Sequence, residues 1–509
     1  MTPTHAPCLL GIDNGLTVTK AVVFEATGRV LAVARRRLPQ IIPRPRHVER
    51  DMAALWSATA EAIAEALALS GRAADIAAVA ATAHGDGIYL LDRDGAPLGN
   101  GILSLDSRAA GVVAGWQADG TAQAALARTG QMPHASAPAA LLAWIARHEP
   151  ERFAHIGHVI ACKDWLTHCL TGRIGTDLTE ASTSFTDVQS QTYAPDILSL
   201  FGLQSLSCAL PQVARPDEIV GHVTEAAARL TGLRAGTPVV AGLHDVTASA
   251  LGIGGHGVGR FAIVAGTYSI NETVSDAPKT DPRWFCRNGL RLGEWNNMSI
   301  SPASAANYDW FLDTLCAGER AAEGASIHAR IGEEVRVALD RPSTVLFHPY
   351  LYGSPHGAGA SAGFLGLRGW HDRADMLRAV IEGIAFNHRV HVDALREGFA
   401  PTSALLTGGI SRNPVFAQIF ADVLAMPVTV SQTEEAAAWG AALCAGSGIG
   451  LFASPTADPR DLGALSQTYQ PDPIRSADMA RRYALHCDLA ASLAPLWPRI
   501  EALAEGDQP

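Results

Sequence analysis

Residues 8 to 37 read as three short strands divided by turns: CLLGID (8–13), VTKAVVFE (18–25) and RVLAVARRR (29–37). Alternating β-branched residues around Gly and Asn turns predict an antiparallel meander. The same device returns midway, where RFAIVAGTYSINETVS (260–275) is an apolar strand, a small-residue turn with hydroxyls, and a second strand. Later, SALLTGGISRN (403–413) is a strand reaching a Gly-Gly turn, and PVFAQIFADVLAM is the helix after it. Between meander and midpoint, RDMAALWSATAEAIAEALALS has apolar residues at helical spacing, and DIAAVAATA is a further strand running into HGDG. Two halves that open alike predict a duplicated α/β fold, each half a mixed sheet with flanking helices. Its 509 residues exceed what one core usually supports, and the division is expected at 1–253 and 254–509.

The composition is 48% hydrophobic and 17% charged, with no run of eighteen apolar residues. The stretch MTPTHAPCLLGIDNG lacks a basic region followed by an apolar core, so no signal peptide is expected. Eight cysteines without a CxxC pair fit a reduced, cytoplasmic chain. The net charge of −11 argues against nucleic-acid binding, which needs a basic footprint, and no membrane partner is expected. It does not exclude a nucleotide, because backbone amides and Mg²⁺ hold phosphate with little side-chain charge.

The run GIGGHGVG (252–259) matches G-x-G-x-x-G through Gly252, Gly254 and Gly257. A dinucleotide fingerprint follows a strand and opens a helix; here the order is reversed, so a dehydrogenase is a poor reading and a linker or hinge a better one. No Walker sequence is present. Three other turns join an apolar strand to Gly, Ser or Thr: GIDNGLTVTK (11–20), AGTYS (265–269) and TGGISRN (407–413). Such turns expose backbone N–H groups with no Cβ in the way, as phosphate cradles do.

The stretch GLHDVTASALGIGG (242–255) puts Asp245 at the end of an apolar strand; the nearest Lys or Arg in sequence are Arg234 and Arg260. From the residues alone the role of this unpaired carboxylate stays open, the plain alternative being the N-cap of a helix over VTASAL. The pairs His155/His158 and His388/His391 lack the Glu and third ligand of a zinc site, and no zinc is expected.

Taken in order, GIDNGLTVTKAVVF, AHGDGIYLLDRDGAPL with LSLDSRA, KDWLTHCLTG with TDLTEAS, AGLHDVTASALGIG, GTYS, HPYLYGSP, GFLGL, LRAVIEGIAF, and LLTGGISRNPVFAQIFADVLAMPV with EEAAAWGAAL resemble the FGGY carbohydrate kinases. That family belongs to the actin and hexokinase superfamily. The likeness runs from about Leu9 to about Gly446, and HEPERFAHIG, PLGNGILSLDSRA and LFHPYLYGS look most like bacterial L-xylulose kinases. The resemblance implies two actin-like ATPase (ribonuclease H-like) domains with the active site in a cleft between them. It implies transfer of phosphoryl from Mg-ATP to a primary hydroxyl of a small ketose or polyol: L-xylulose first, then erythritol, D-xylulose or ribulose. A homodimer is the common assembly of relatives.

Residue by residue, the resemblance makes Asp245 the catalytic base and a sugar contact. It makes His84, Gly85, Asp106 and Arg108 the remaining sugar-binding residues, with Asp86 a weaker candidate. Asp13, Gly15, Thr17, Lys20, Gly266, Thr267, Gly408, Gly409 and Asn413 would bind ATP, with Ser411 and Gln418 less secure. Asp13 and Asp245 would lie at the Mg²⁺. Leu16 stands where the family usually has Thr, and Ser104 where some relatives have an aromatic sugar contact. By residue type alone, Asp13 also reads as a hairpin-turn residue, Lys20 as an exposed strand lysine and His84 as a structural histidine. The rival on the same fold is a non-enzymatic actin-like assembly or regulatory protein, which has no need of a polyol site.

Overall fold

A computed structural model describes residues 6–356 and 359–503. The first five and last six residues of the expected domains, including part of the N-terminal stretch read above, lie outside the described residues. The chain forms two compact units. The first takes residues 1–256 together with 274–297 and 433–461; the second takes 257–273, 298–432 and 462–509.

In the first unit the expected meander is present as β1 (Cys8–Asn14), β2 (Val18–Glu25) and β3 (Val30–Arg37), each antiparallel to the next. Helix α1 (Met52–Ser70) follows. The Asp51 side chain caps it by accepting from the Ala54 amide at 2.7 Å, and Gly71, at φ 64°, ends it where a Cβ would be strained. Strand β4 (Ile76–Ala83) then returns parallel to β1. After helix α2 (Cys162–Thr171) come β5 (Ile219–His222), β6 (Pro238–Val240) and β7 (Leu243–His244), then helix α3 (Asp245–Gly252). The sheet order is β5-β6-β4-β1-β2-β3, with β7 also beside β4.

Each face of this sheet carries its own core. Leu10, Ile12, Val23 and Val79 pack with Leu55, Ile63 and Leu67 of α1. By length and composition α1 is the one helix among the described residues apolar enough to cross a bilayer, yet these side chains place it in a protein core. On the other face Leu9, Val22, Phe24 and Ala80 pack with Trp439 and Leu443 of the helix Ala436–Gly448. That helix meets α3 through small residues: a Cβ on Gly440 would lie 2.0 Å from the Ala248 carbonyl oxygen, and one on Gly252 1.9 Å from that of Ala436. The motif residues of KDWL and TDLT also find a structural explanation. Lys163, wholly buried on α2, pairs with Asp164 and, at 2.9 Å, with Asp177, a charge set that is stable inside a protein only when mutually compensated.

The second unit repeats the arrangement. It contains β8 (Arg260–Ala265) and β9 (Ser269–Ser275), then, beyond β10 (Phe285–Asn288), strand β11 (Trp295–Ser301). There follow α4 (Arg373–Gly398), β12 (Ser403–Thr407), α5 (Pro414–Leu424), β13 (Val428–Ser431), β14 (Ser466–Tyr469) and α6 (Pro473–Leu493). The sheet order is β10-β11-β9-β8-β12-β13-β14; β10 and the adjoining ends of β9 and β11 are counted in the first unit. Like β1, strand β8 has an antiparallel hairpin partner on one side and a parallel strand on the other. The pair His388 and His391 lies buried on α4. His388 faces Ser269, Asn271 and Ser304, and His391 faces Ser299 and Ser301, a hydrogen-bonded core network.

The glycine run keeps the reversed order, following α3 and opening β8. The unit boundary falls inside it, between His256 and Gly257. Its first part is packed: Arg460 donates to the Gly252 carbonyl at 2.6 Å, and His256 meets Glu294 at 2.7 Å.

Candidate active site

Register brings the first unit's candidates together. Asn14 of β1 and His244 of β7 both pair with Ala83 of β4. The carboxyl ends of three parallel neighbours therefore coincide, and Asp13, His84 and Asp245 share one edge of the sheet. Ligands of open α/β sheets bind at such edges.

Asp245 is the first residue of α3, not its cap. The N-cap is His244, whose Nδ1 accepts from the Val246 amide at 3.3 Å. The alternative reading of Asp245 as the N-cap is thereby corrected: the cap position is one residue earlier, although the Val246 amide also bonds the Asp245 carboxyl. No Lys or Arg among the described residues lies within ion-pair distance of Asp245; its near neighbour is His244 Nδ1 at 3.3 Å. Burial, and next the negative charge of Asp13, push its carboxyl up to about 7. A carboxylate that holds its proton this readily suits a group that must accept one.

Asp13 lies opposite Lys20 in the β1–β2 ladder, with Nζ 3.5 Å from its carboxylate. Lys20 also meets Glu435 at 2.9 Å, and Arg35 pairs with the other oxygen of Glu435. Burial raises the Asp13 carboxyl while Lys20 works against it. Lys20, despite burial, is held above its ordinary value by Asp13 and Glu435. Glu435 sits at φ 52°, uncommon for a residue with a Cβ. Gly15 and Thr17 form the hairpin turn, closed by the Gly15 amide donating to the Val18 carbonyl at 2.9 Å; Thr17 is exposed.

His84 is buried directly after β4, its amide donating to the Asn14 carbonyl, and burial with the nearby Arg50 charge holds it down to about 3. Gly85 is a packing necessity, because a Cβ there would fall 1.7 Å from Nε2 of His244. Asp86 follows at φ 56° and pairs at 2.8 Å with Arg287 of β10. Although burial opposes it, Arg287 and then His134 hold the Asp86 carboxyl well below the usual range. Arg287 also donates to Gln131 Oε1 at 3.0 Å and lies 3.4 Å from His244 Nε2. Burial, then the Arg287 charge, hold His244 down to about 3. Asp106 and Arg108 are placed differently. They pair with each other inside the protein, Asp106 also accepting from the Val48 amide at 2.7 Å and Arg108 donating to Glu49 at 2.7 Å. Both Asp106 oxygens are thus engaged by protein donors.

In the second unit, Val264 of β8 pairs with Thr407 of β12, so the turn at Gly266 and Thr267 and the turn at Gly408 and Gly409 share one sheet end. Gly408, at φ 110°, is required there: a Cβ would lie 2.3 Å from the Ala265 carbonyl oxygen. Gly409 faces open space. Asn413 caps α5 through Val415 and donates to the His328 carbonyl at 2.8 Å. Ser411 bonds back to Gly408, and Gln418 holds Asp422 and the Gln470 carbonyl.

Arg50, Arg287 and Glu435 are polar members of these clusters that motif reading missed. Only their partners across the fold mark them.

Comparison with known proteins supplies the family. The model of the FGGY family of carbohydrate kinases, N-terminal domain, matches residues 8–252, and that of the C-terminal domain matches 261–449. The chain is 34% identical to an L-xylulose/3-keto-L-gulonate kinase of Escherichia coli, over 97% of this chain and 98% of that protein. It is 29% identical to an erythritol kinase of Brucella abortus, over 97% of each. Among solved structures, a xylulose kinase from Rhodospirillum rubrum superposes with a TM-score of 0.86 at 31% identity, covering 96% of this chain and 99% of that one.

Proposed function

The chain belongs to the FGGY family of carbohydrate kinases, and from that premise we propose that it phosphorylates a primary hydroxyl of L-xylulose or a related pentulose. As a carbohydrate kinase it uses ATP and a sugar; the choice of pentulose is supported by the L-xylulose kinase name of the Escherichia coli relative. Erythritol is the second acceptor to test, on the strength of the Brucella abortus relative.

The observation that carries the reading is Asp245: a carboxyl with no Lys or Arg of the described residues within ion-pair distance, at the shared strand edge and disposed to take a proton near neutrality. In the proposed reaction the acceptor oxygen forms a bond to the terminal phosphorus of ATP as the bond to the bridging oxygen breaks and ADP leaves. The hydroxyl proton passes to Asp245. Phosphoryl transfer has a loose transition state, so orientation and late proton removal matter more than early ionisation.

In this reading His84, Gly85, Asp106 and Arg108 form the sugar side with Asp245. The ATP turns are Asp13, Gly15, Thr17 and Lys20 in the first unit, and Gly266, Thr267, Gly408, Gly409 and Asn413 in the second. Mg²⁺ suits the donor set of Asp13 and Asp245: their charges disfavour each other, and Mg²⁺ commonly takes one or two carboxylates with water and phosphate. Asp13 and Asp245 would hold the ion, which would supply neutralisation of phosphate charge there. A cytoplasmic setting accords with eight unpaired cysteines.

The test is ADP release with a panel of pentuloses and tetritols, for the wild type and Asp245→Asn. The variant is expected to keep ATP binding and lose at least about 10²-fold in kcat on the best acceptor. A variant with near-wild-type kcat overturns the assignment of Asp245, and a panel without any pentulose response overturns the acceptor class.

A further inference from the structure

We propose that Arg50 is a positioning residue for the phosphate end of ATP, orienting the β1–β2 hairpin and supplying beneath it a positive charge that a docked anion completes. The inference rests on the reading that this hairpin holds ATP phosphate.

Arg50 is among the largest fully buried side chains, only 2% exposed. Its guanidinium donates to three successive residues of the turn: Asn14 Oδ1 at 3.3 Å, the Gly15 carbonyl at 3.3 Å and the Leu16 carbonyl. No carboxylate among the described residues lies within ion-pair distance of it, unlike Arg108, Arg287 or Lys163. Its Nε, and Nδ2 of Asn14, are buried without partners. A buried cation is normally compensated by a nearby acid. Here the acid is missing, and the turn it grips is the one expected to meet polyphosphate.

Geometry explains how the grip acts. With the Gly15 and Leu16 carbonyls drawn toward Arg50, the peptide planes that follow turn their N–H groups the other way. The amides of Leu16 and Thr17 have no acceptor among the described residues. Successive free amides over a fixed positive charge make an anion-binding concavity. The Arg50 backbone is itself pinned, lying in a short strand pair with Gly101 and directly before Asp51, the cap of α1.

The experiment compares Arg50→Gln and Arg50→Lys with the wild type in KM for ATP, KM for the best acceptor, and thermal protection by ADP and by adenosine. Arg50→Gln is expected to raise the ATP KM by about 10-fold or more and to weaken ADP protection, with adenosine protection unchanged. Arg50→Lys keeps the charge without the fork and is expected to fall between; it carries the test should the glutamine variant not fold. ADP protection equal to wild type in either variant overturns the proposal. Gly15→Val, whose Cβ would have room within the turn itself, separates the underlying reading. If it leaves the ATP KM unchanged, the turn is not a phosphate site. If it raises the KM while the Arg50 variants do not, the proposal for Arg50 alone fails.

Discussion

A Cβ added to Gly85 would sit 1.7 Å from Nε2 of His244, so the imidazole that caps α3 occupies the space a side chain at position 85 would need. Gly85 lies two residues beyond the end of β4 and His244 ends the neighbouring β7; their contact sets where Asp245, the next residue, begins its helix.

Gly85→Ala is therefore expected to displace His244 and, through it, Asp245. A shift near 1 Å at a reacting group commonly costs about 10²-fold in rate, so kcat should fall by that order while ATP binding persists. The measurement is kcat on the best acceptor together with ADP protection; an unimpaired kcat would show that His244 does not place the base.

Asp13 pairs with Lys20, and its charge raises the Asp245 carboxyl. Removing its carboxylate as Asp13→Ala is expected to raise the Mg²⁺ concentration for half-maximal rate by about 10-fold or more, since few carboxylates hold this ion. Titration of the rate with Mg²⁺ at fixed ATP checks this. An unchanged midpoint would remove Asp13 from the ion's surroundings.

His486 on α6 has both ring nitrogens buried without partners, between His348 and Phe386. Burial, then the neighbouring His348 and His356, hold its pKa well below the ordinary value. The sign follows from proton binding. Below about pH 6.5 the unfolded chain takes up a proton that the folded ring refuses, so stability present above that pH is lost as pH falls. His486→Phe keeps the ring and removes the liability. It is expected to gain about 1 kcal/mol at pH 7.5 and roughly another 1.4 kcal/mol at pH 5.5. Thermal or denaturant melts at the two values decide; a gain independent of pH would mean that the imidazole is not refusing a proton.

What the sequence determined by itself was local or serial. Strand–turn–strand at 8–25 and 260–275, the helix after 413, and the reversed order around Gly252 all depend on turn chemistry and periodicity within a few residues, and each is present. The family was readable because its short pieces fall in a fixed order along the chain. The tertiary structure alone decided how charge is distributed. Lys20 meets Glu435 across 415 positions and Arg287 meets Asp86 across 201. Asp106, a sugar contact by its motif, is held by Arg108 and the Val48 amide. Arg50 carries no motif at all and acquires meaning only under a turn 35 positions away. Hydrogen bonding within a turn is short-ranged and written in neighbouring residues, whereas a carboxylate's partner and proton affinity depend on what is folded against it.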